Sequence, residues 1–400
     1  MRGMTSVDLV WFNAGGGHRA AAQALEQVMH AQGRPWQVRK VNLSEVLDPT
    51  ALFRRLTGIE PEDLYNKRLA SGFTLGLAQE LKLLQGLIRV SHAGLVQRLA
   101  LHWSHTRPDM VVSLVPNFNR ALHDSLAAAR PGVPFVTVMT DMADHPPSFW
   151  IEPATGQHVV CGTAHAAAQA RAAGLPPDRI HRSSGMILRP DFYRPPSAES
   201  DRAHQRVAAG LDAHTPTGLV LFGGTGSRVM KGIAQRLVHT PLVLMCGRNE
   251  ALATELRALP PGPAARVVVG HTPDVARWMH MADFFIGKPG PGSLSEAVQM
   301  GLPVIVTRNA WTMPQERWNT DWVRQHGLGV VCRSLRQVVA AVAEVTAALP
   351  AFRARVHGMH NRAVFELPCI LADLLRAAQT RPAAADELGQ PQAAQPVSSI

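Results

Sequence analysis

The stretch Ile286-Gly-Lys-Pro-Gly-Pro-Gly-Ser-Leu-Ser-Glu-Ala-Val-Gln-Met-Gly-Leu-Pro-Val-Ile-Val306 joins an apolar strand to a glycine loop, a helix and the next strand without a break. Gly287, Gly290 and Gly292 let the backbone turn tightly and approach a ligand. Pro291 and Ser293 stand where the helix begins. Ser293 can cap it, and the free N–H groups and positive dipole end of the helix favour an anion beside Lys288. Glu296, one turn further on, is placed to accept hydrogen bonds from a ribose. The combination points to a nucleotide diphosphate rather than inorganic phosphate. No Gly-Lys-Ser/Thr closes the loop, so it is not a Walker loop.

Other strand ends carry matching chemistry. Gly223-Gly224-Thr225-Gly226-Ser227 follows an apolar strand and offers backbone amides and two hydroxyls to phosphate oxygens. Alone, such a turn equally suits a strand-to-helix connection without a ligand. Leu244-Met-Cys-Gly-Arg248-Asn249 and Gly270-His271-Thr-Pro-Asp274 end the next two strands. Downstream, Gln315, Glu316 and Asn319 supply amide and carboxylate groups suited to the hydroxyls of a sugar.

In the first half, Gly15-Gly16-Gly17-His18 places an imidazole where the first strand gives way to a helix. A lone histidine is usually structural; after three glycines at a strand end it is expected to be exposed at the cleft edge, to titrate near neutral pH and to act as a base. Asp141 follows another strand end, with His145 four residues on, and either can orient a hydroxyl or the base. Gly15-x-Gly17-x-x-Ala20 also matches a degenerate dinucleotide fingerprint. The acidic residue expected after the second strand is missing, because Val41-Asn-Leu-Ser44 stands there.

The elements that hold these residues alternate from end to end, β-rich runs with Ala- and Leu-rich helical stretches, which is the pattern of an α/β fold with parallel sheets. The runs predict strands over Val7–Phe12, Gln37–Leu43, Met110–Val115, Phe135–Thr140 and His158–Cys161, then over Gly218–Phe222, Leu242–Cys246, Arg266–Val269, Phe284–Ile286 and Pro303–Val306. Each half opens with a strand, glycines and a helix. Two similar domains are therefore expected, residues 1–195 and 196–380, joined by the proline-rich Arg189–Ser200 linker and followed by a disordered tail over 381–400. Ligands of open α/β sheets bind at the carboxyl ends of strands, which puts the site in the cleft between the halves.

The 400 residues are 46% hydrophobic, and 40 Lys and Arg against 30 Asp and Glu give a net charge of +10. The excess implies an acidic partner: nucleic acid, an anionic membrane or a nucleotide. The basic residues are spread along the chain without interleaved aromatics, which argues against nucleic acid. Six of them against one acid fall between Leu64 and Arg107. There, Leu77, Leu81, Leu84 and Ile88 share one helical face and Lys82 and Arg89 the other. This reads either as a core-facing helix or as a membrane-surface patch in which each nearby cation adds about 1 kcal/mol against anionic lipid. No secretory signal or spanning run is seen, so a cytoplasmic protein is expected. Cys161, Cys246, Cys332 and Cys369 lack metal-ligand spacing and are expected as buried free thiols.

The motifs Gly15-Gly-Gly-His-Arg-Ala20, Val138-Met-Thr-Asp141 with His145-Pro146, Cys246-Gly-Arg-Asn249, Lys288-Pro-Gly-Pro-Gly-Ser293 with Ser295-Glu-Ala297, and Pro314-Gln-Glu316 with Asn319 resemble those of the monogalactosyldiacylglycerol synthase type of GT-B glycosyltransferase. This is the glycosyltransferase family 28 type, related to the peptidoglycan N-acetylglucosaminyltransferase. The likeness covers about residues 7 to 375. It implies two Rossmann-like domains facing across a cleft and an inverting, metal-independent enzyme. Such an enzyme moves galactose or glucose from a UDP-sugar to diacylglycerol, peripherally on the cytoplasmic face of an anionic membrane. By that likeness Gly290, Gly292 and Ser293 hold the diphosphate, Glu296 the ribose, Arg248 and His271 the neighbourhood of the uracil, and Gln315, Glu316 and Asn319 the sugar. His18 is the base candidate with Asp141 in support, and Gly16, Gly17, His145, Lys82 and Arg89 belong to the acceptor and membrane side. This chain has Lys-Pro-Gly-Pro-Gly where the family has Lys-Ala-Gly-Pro-Gly, and Met313 precedes Pro314-Gln-Glu316 where the family has Pro-Gly-Gln-Glu. Other readings are a UDP-N-acetylglucosamine-type transferase or a UDP-sugar epimerase of the same fold and, more distantly, a nicotinamide oxidoreductase, which leaves the second half's glycine loops unexplained.

Overall fold

The computed structural model describes residues 4–12, 16–48, 77–195 and 198–380, the side chains of 77–80 excepted. Gly15, the side chain of Leu77 and the tail 381–400 lie outside the described residues. Twelve strands fall into two six-stranded sheets among these residues. The first contains β1 (Thr5–Trp11), β2 (Trp36–Asn42), β3 (Met110–Ser113), β4 (Phe135–Val138), β5 (His158–Cys161) and β6 (Ile180–Arg182). The second contains β7 (Gly218–Leu221), β8 (Leu242–Met245), β9 (Arg266–Val269), β10 (Phe284–Gly287), β11 (Val304–Thr307) and β12 (Gly329–Cys332). Every pairing is parallel. The central strands are apolar on both faces because helices cover both, so β3, β4, β7, β8 and β10 are buried throughout.

The order of the first sheet, β2-β1-β3-β4-β5-β6, reverses direction between β1 and β3; that of the second, β12-β11-β10-β7-β8-β9, reverses between β10 and β7. At such a reversal the connecting helices leave on opposite faces and open a crevice at the carboxyl ends of the strands. His18 opens the helix that comes next after β1, and the loops carrying Gly223 and Lys288 follow β7 and β10. The expected α/β class and the placing of the glycine loops therefore agree with the topology.

In the first sheet, Val7 and Leu9 pack under the Gly17–Ala31 helix, whose Ala21, Leu25, Val28 and Met29 form its buried stripe. Val10 and Val41 face the His92–Thr106 and Asn119–Ala129 helices on the other side. The Ala363–Thr380 helix departs from the expected 196–380 domain: its Val364, Leu367, Leu371 and Leu375 pack on the first sheet's core with Leu25 and Met29. Its apolar stripe finds there a face that the first sheet's own helices leave open. Glu366, accepting from the Ser184 amide at 2.8 Å, and Asn361, donating to the Met186 carbonyl at 2.8 Å, fasten the return.

Strands β6 and β12 were not expected, since Ile180-His-Arg and Gly329-Val-Val-Cys are short and sit at sheet edges where little apolar signal is needed. Cys161, Cys246 and Cys332 are buried thiols, but Cys369 is exposed because it lies on the outer side of the last helix. Among the described residues no single helix is long and apolar enough to cross a membrane.

Candidate functional site

In the second half, two glycine loops meet at Lys288. Gly223 turns with φ 74°, and a Cβ added there would stand 3.7 Å from Lys288 Cε. Gly290 does not need left-handed freedom, since its φ is −68°. It serves by clearance, because a Cβ there would come within 3.2 Å of Lys288 Cε and 3.3 Å of Glu316 Oε1. Gly287 is likewise a matter of space, a Cβ meeting the Leu221 carbonyl at 2.5 Å. Gly292 is exposed, with open space beside it. Pro291 is the first residue of the following helix and Gly290 its N-cap, so Ser293 lies within the first turn and does not cap. A proline's fixed φ and missing N–H suit that first position. The Pro291–Gln299 helix thus begins three residues earlier than capping by Ser293 implied.

Lys288 Nζ donates to Glu316 Oε1 at 2.8 Å, with Glu316 only 3% exposed. Asn319 donates through Nδ2 to the Pro289 carbonyl at 2.7 Å and is fully buried. Its Nδ2 therefore braces the phosphate loop from behind, while its Oδ1 is buried without a hydrogen-bond partner among the described residues. Gln315 remains half-buried beside Met313. Asn249 is also committed to the protein. Its Oδ1 accepts from the Leu252 amide at 3.0 Å, capping the Glu250–Arg257 helix, and its Nδ2 donates to the Thr225 carbonyl at 3.2 Å. The Arg248 amide donates to the Gly224 carbonyl at 2.9 Å, so the loops after β7 and β8 form one rim. Ser227 is buried, with its hydroxyl accepting from the Val229 amide. Thr225, Gly224 and Arg248 are exposed on that rim, Gly226 is buried beneath it, and His271 is exposed at the end of β9.

Glu296 is half-buried, and its carboxyl is pushed up to about 7 by burial, against the opposing pull of Arg189. No hydrogen-bond or ion-pair partner holds it among the described residues. Arg189, in the interdomain linker, also donates to the Pro273 carbonyl at 2.9 Å, two residues beyond His271. A cation thus ties the linker, the loop after β9 and the carboxylate expected at the ribose. Sequence reading treated Arg189 only as linker.

On the opposite wall, Gly16 caps the Gly17–Ala31 helix in the left-handed region, with φ 79°, and Gly17 opens it. His18 in that first turn is half-buried between Phe12, 5.1 Å away ring to ring, and Trp150, 6.0 Å away. Its Nδ1 lies 3.1 Å from the Thr140 hydroxyl. Burial pushes its pKa down to about 4, the Leu114 main chain pulling it back up. Leu114 directly follows β3, so this contact spans the sheet's reversal point. Asp141 is buried, and Trp150 Nε1 donates to its Oδ2 at 3.0 Å. Burial raises its pKa to about 7; the Trp150 hydrogen bond opposes this, Glu316 adds to it and Lys288 opposes it again. The last two belong to the other half, so Asp141 and the Lys288–Glu316 pair share one electrostatic environment across the cleft.

Trp150 is itself held by Asp144, which accepts from the Trp150 amide at 2.7 Å and the Ser148 amide at 3.2 Å. Burial raises Asp144 to about 6 even so. The motif Asp141 to His145 marked this stretch, but nothing in the spacing singled out Trp150, Asp144 or Thr140. His145 is exposed, and burial and the facing Arg317 of the second half lower its pKa. His165 stacks on Trp318 at 4.5 Å, closing that end of the cleft.

The Leu77–Val90 helix is neither purely core-facing nor free. Leu81 packs against the core around Trp150, and Ile88 is half-buried. Leu84 is 44% exposed, contrary to a core-facing stripe, and Leu83, Leu87 and Val90 are 66%, 57% and 87% exposed. Lys82 and Arg89 are exposed beside them.

No family profile matches the sequence. The chain is 30% identical over 249 residues to a probable chloroplastic monogalactosyldiacylglycerol synthase 2 of Oryza sativa subsp. japonica, covering 59% of this chain and 51% of that protein. It is 26% identical over 352 residues to the chloroplastic monogalactosyldiacylglycerol synthase of Spinacia oleracea, covering 83% of this chain and 64% of that one. The chain thus spans about half to two thirds of the curated relatives it matches. Among solved structures, Acinetobacter baumannii MurG superposes with a TM-score of 0.56 at 14% identity, over 92% of this chain and 99% of that one. The calicheamicin glycosyltransferase CalG4 does so with 0.57 at 18% identity, over 94% and 98%. The UDP-GlcNAc 2-epimerase of Neisseria meningitidis does so with 0.56 at 11%, over 93% and 100%. The chain has the GT-B fold and is monogalactosyldiacylglycerol synthase-like in sequence.

Proposed function

We propose that the chain is a glycosyltransferase that moves a hexose, galactose or glucose, from a UDP-sugar to the free hydroxyl of diacylglycerol with inversion, at an anionic membrane surface on the cytoplasmic side. The observation that carries this reading is the convergence of Gly223, Gly290, Lys288 and Glu316 on one side of a cleft whose other side presents Asp141, Trp150 and His18. The likeness to monogalactosyldiacylglycerol synthases supports the donor and acceptor classes. In this reading residues up to 195 serve the acceptor and the membrane, and the second sheet serves the donor.

The chemistry is one in-line displacement. The acceptor oxygen forms its bond to the anomeric carbon as the bond from that carbon to the UDP oxygen breaks, and the acceptor proton passes to a base. His18, held neutral at pH 7, has a lone pair for that proton, with Asp141 in support. The departing diphosphate gains negative charge, and Lys288 with the N-terminal amides of the Pro291–Gln299 helix faces it. Glu316 holds Lys288 in place before the donor arrives. The reading requires no metal, so turnover is expected to survive a chelator.

Radiolabelled UDP-galactose or UDP-glucose, incubated with the protein and diacylglycerol in anionic liposomes, should yield labelled glycolipid. Absence of product with both donors would refute the lipid assignment. Turnover of the UDP-sugar without lipid would favour an epimerase.

A further inference from the structure

Asp8 stands mid-strand in β1 between Val7 and Leu9, where an apolar side chain would pack without cost. Its register partner on β2 is Arg39, so both side chains leave the same face of the sheet. Arg39 donates through Nε to Asp8 Oδ1 at 2.5 Å and through Nη1 to the Thr106 carbonyl at 2.8 Å, at the end of the His92–Thr106 helix. Asp8 is fully buried, and burial holds its carboxyl above the usual range. Arg39's side chain is 30% exposed, so the buried member is Asp8, and a carboxylate taken out of water rarely stabilises a fold better than a packed hydrophobe of the same volume. Its presence here calls for a use.

Asp8 Oδ2, Arg39 Nη2 and His102 Nε2 are buried without a hydrogen-bond partner, three of the six such side-chain atoms among the described residues. All three residues line one cavity of about 520 Å³, which also meets Arg98 and His105. That volume suits a small molecule. None of the residues placed at the cleft lines it. Of the other cations there, Lys40 is committed to Glu26 at 2.6 Å and Arg98 donates to the Leu47 carbonyl at 2.7 Å.

The open valences define the guest. Arg39 Nη2 can only donate, so it faces an acceptor oxygen; Arg39, Lys40 and Arg98 against Asp8 and Glu45 leave the lining one positive charge in excess, which favours that oxygen's being anionic. An ionised Asp8 Oδ2 can only accept, so it faces a hydroxyl. His102 Nε2 serves either. We propose that this cavity is a second binding site, separate from the cleft, for a small hydroxylated phosphate ester, either free in solution or as the headgroup of a lipid.

The test is calorimetric titration of glycerol 3-phosphate and of inorganic phosphate into the full chain in saturating UDP, which occupies the cleft. Phosphatidylcholine vesicles doped with phosphatidylinositol form a second arm. Wild type should bind glycerol 3-phosphate saturably and more tightly than inorganic phosphate. Asp8→Asn should erase that preference, a loss of about fivefold for one hydrogen bond, and His102→Phe should weaken the ester about tenfold. His102→Phe, at a half-buried position, carries the test where Asp8→Asn fails to fold. Vesicle binding counts only where His102→Phe weakens it, since a basic chain meets anionic lipid unspecifically. Binding of the free ester alone assigns the site to soluble esters, and of the vesicles alone to a headgroup; both support the site. Absence of saturable binding in both arms, or binding unchanged in both variants, would overturn it.

Discussion

The indole Nε1 of Trp150 donates to Asp141 Oδ2 at 3.0 Å, and the same ring lies 6.0 Å from His18. One tryptophan therefore links the two residues expected to handle the acceptor proton. Its hydrogen bond favours the ionised carboxylate, so removing it raises the Asp141 pKa above its value of about 7. Trp150→Phe keeps the aromatic packing against Phe149 and Ala166 and deletes the donor. If ionised Asp141 is needed, the acidic limb of kcat/KM moves to higher pH by about one unit. The loss is then about tenfold at pH 6 and small at pH 9. A loss equal at all pH values would mean that Trp150 acts by shape alone.

Glu296 carries a second pH signature. Its folded pKa, about 7, exceeds its ordinary value of 4.5, so between these pH values the folded state binds more protons than the unfolded. Its contribution to stability is therefore lost as pH rises from about 4.5 towards 7. Glu296→Gln should remove this slope, stabilising the unliganded protein at pH 8 by on the order of 1 kcal/mol relative to pH 5. The same change should weaken UDP binding about tenfold by replacing a charged acceptor of the ribose hydroxyls with a neutral amide. Urea melts at the two pH values with UDP titrations check both. Equal melts at both pH values, with unchanged UDP affinity, would remove Glu296 from the donor site.

The grouping around Lys288 was legible because its members are contiguous in sequence: Gly223 to Ser227 and Lys288 to Glu296 follow strand ends, which parallel topology gathers, and Gln315 to Asn319 occupies the turn and helix after β11. What each residue does inside a motif was less legible. Asn319 and Asn249 look like ligand amides until the structure shows them holding the Pro289 and Thr225 carbonyls. Arg189 was missed because its partners lie on distant loops, and Trp150, though only nine residues from Asp141, because no local period marks a pairing across an irregular loop. Asp8 sat unread inside an apolar strand, since its meaning depends on the register with Arg39.

Lys288 and Glu316 form a pair in which Glu316 is nearly buried and Lys288 is 33% exposed. Removing the cation leaves a carboxylate in low dielectric. Lys288→Met should therefore destabilise the chain by about 1–3 kcal/mol, below the range for a fully buried pair because water reaches Lys288. It should also lower kcat by about 10²–10³-fold through loss of leaving-group stabilisation. Adding Glu316→Gln should restore most of the stability and none of the rate. Thermal melts and turnover of the single and double variants separate the two roles. Recovery of rate in the double variant would show that Lys288 matters only as a partner for Glu316.

Leu83, Leu84, Leu87 and Val90 expose an apolar ridge flanked by Lys82 and Arg89. Leu83, Leu87 and Val90 recur at helical spacing, so in the proposed membrane-bound reading they would enter an interface together, with the cations level with lipid headgroups. Each cation is worth about 1 kcal/mol against an anionic surface, and each leucine that leaves water about 1.5–3 kcal/mol. Lys82→Glu with Arg89→Glu should thus cut binding to anionic vesicles by more than tenfold and reduce its salt sensitivity. Leu83→Ser with Leu87→Ser should weaken binding at every salt concentration. Turnover of diacylglycerol presented in detergent, compared with turnover in vesicles, separates a loss of membrane binding from a loss of catalysis. Co-sedimentation over a salt series provides the readout. If the leucine pair leaves vesicle binding intact while the charge pair abolishes it, the ridge stays in water and the attachment is electrostatic only.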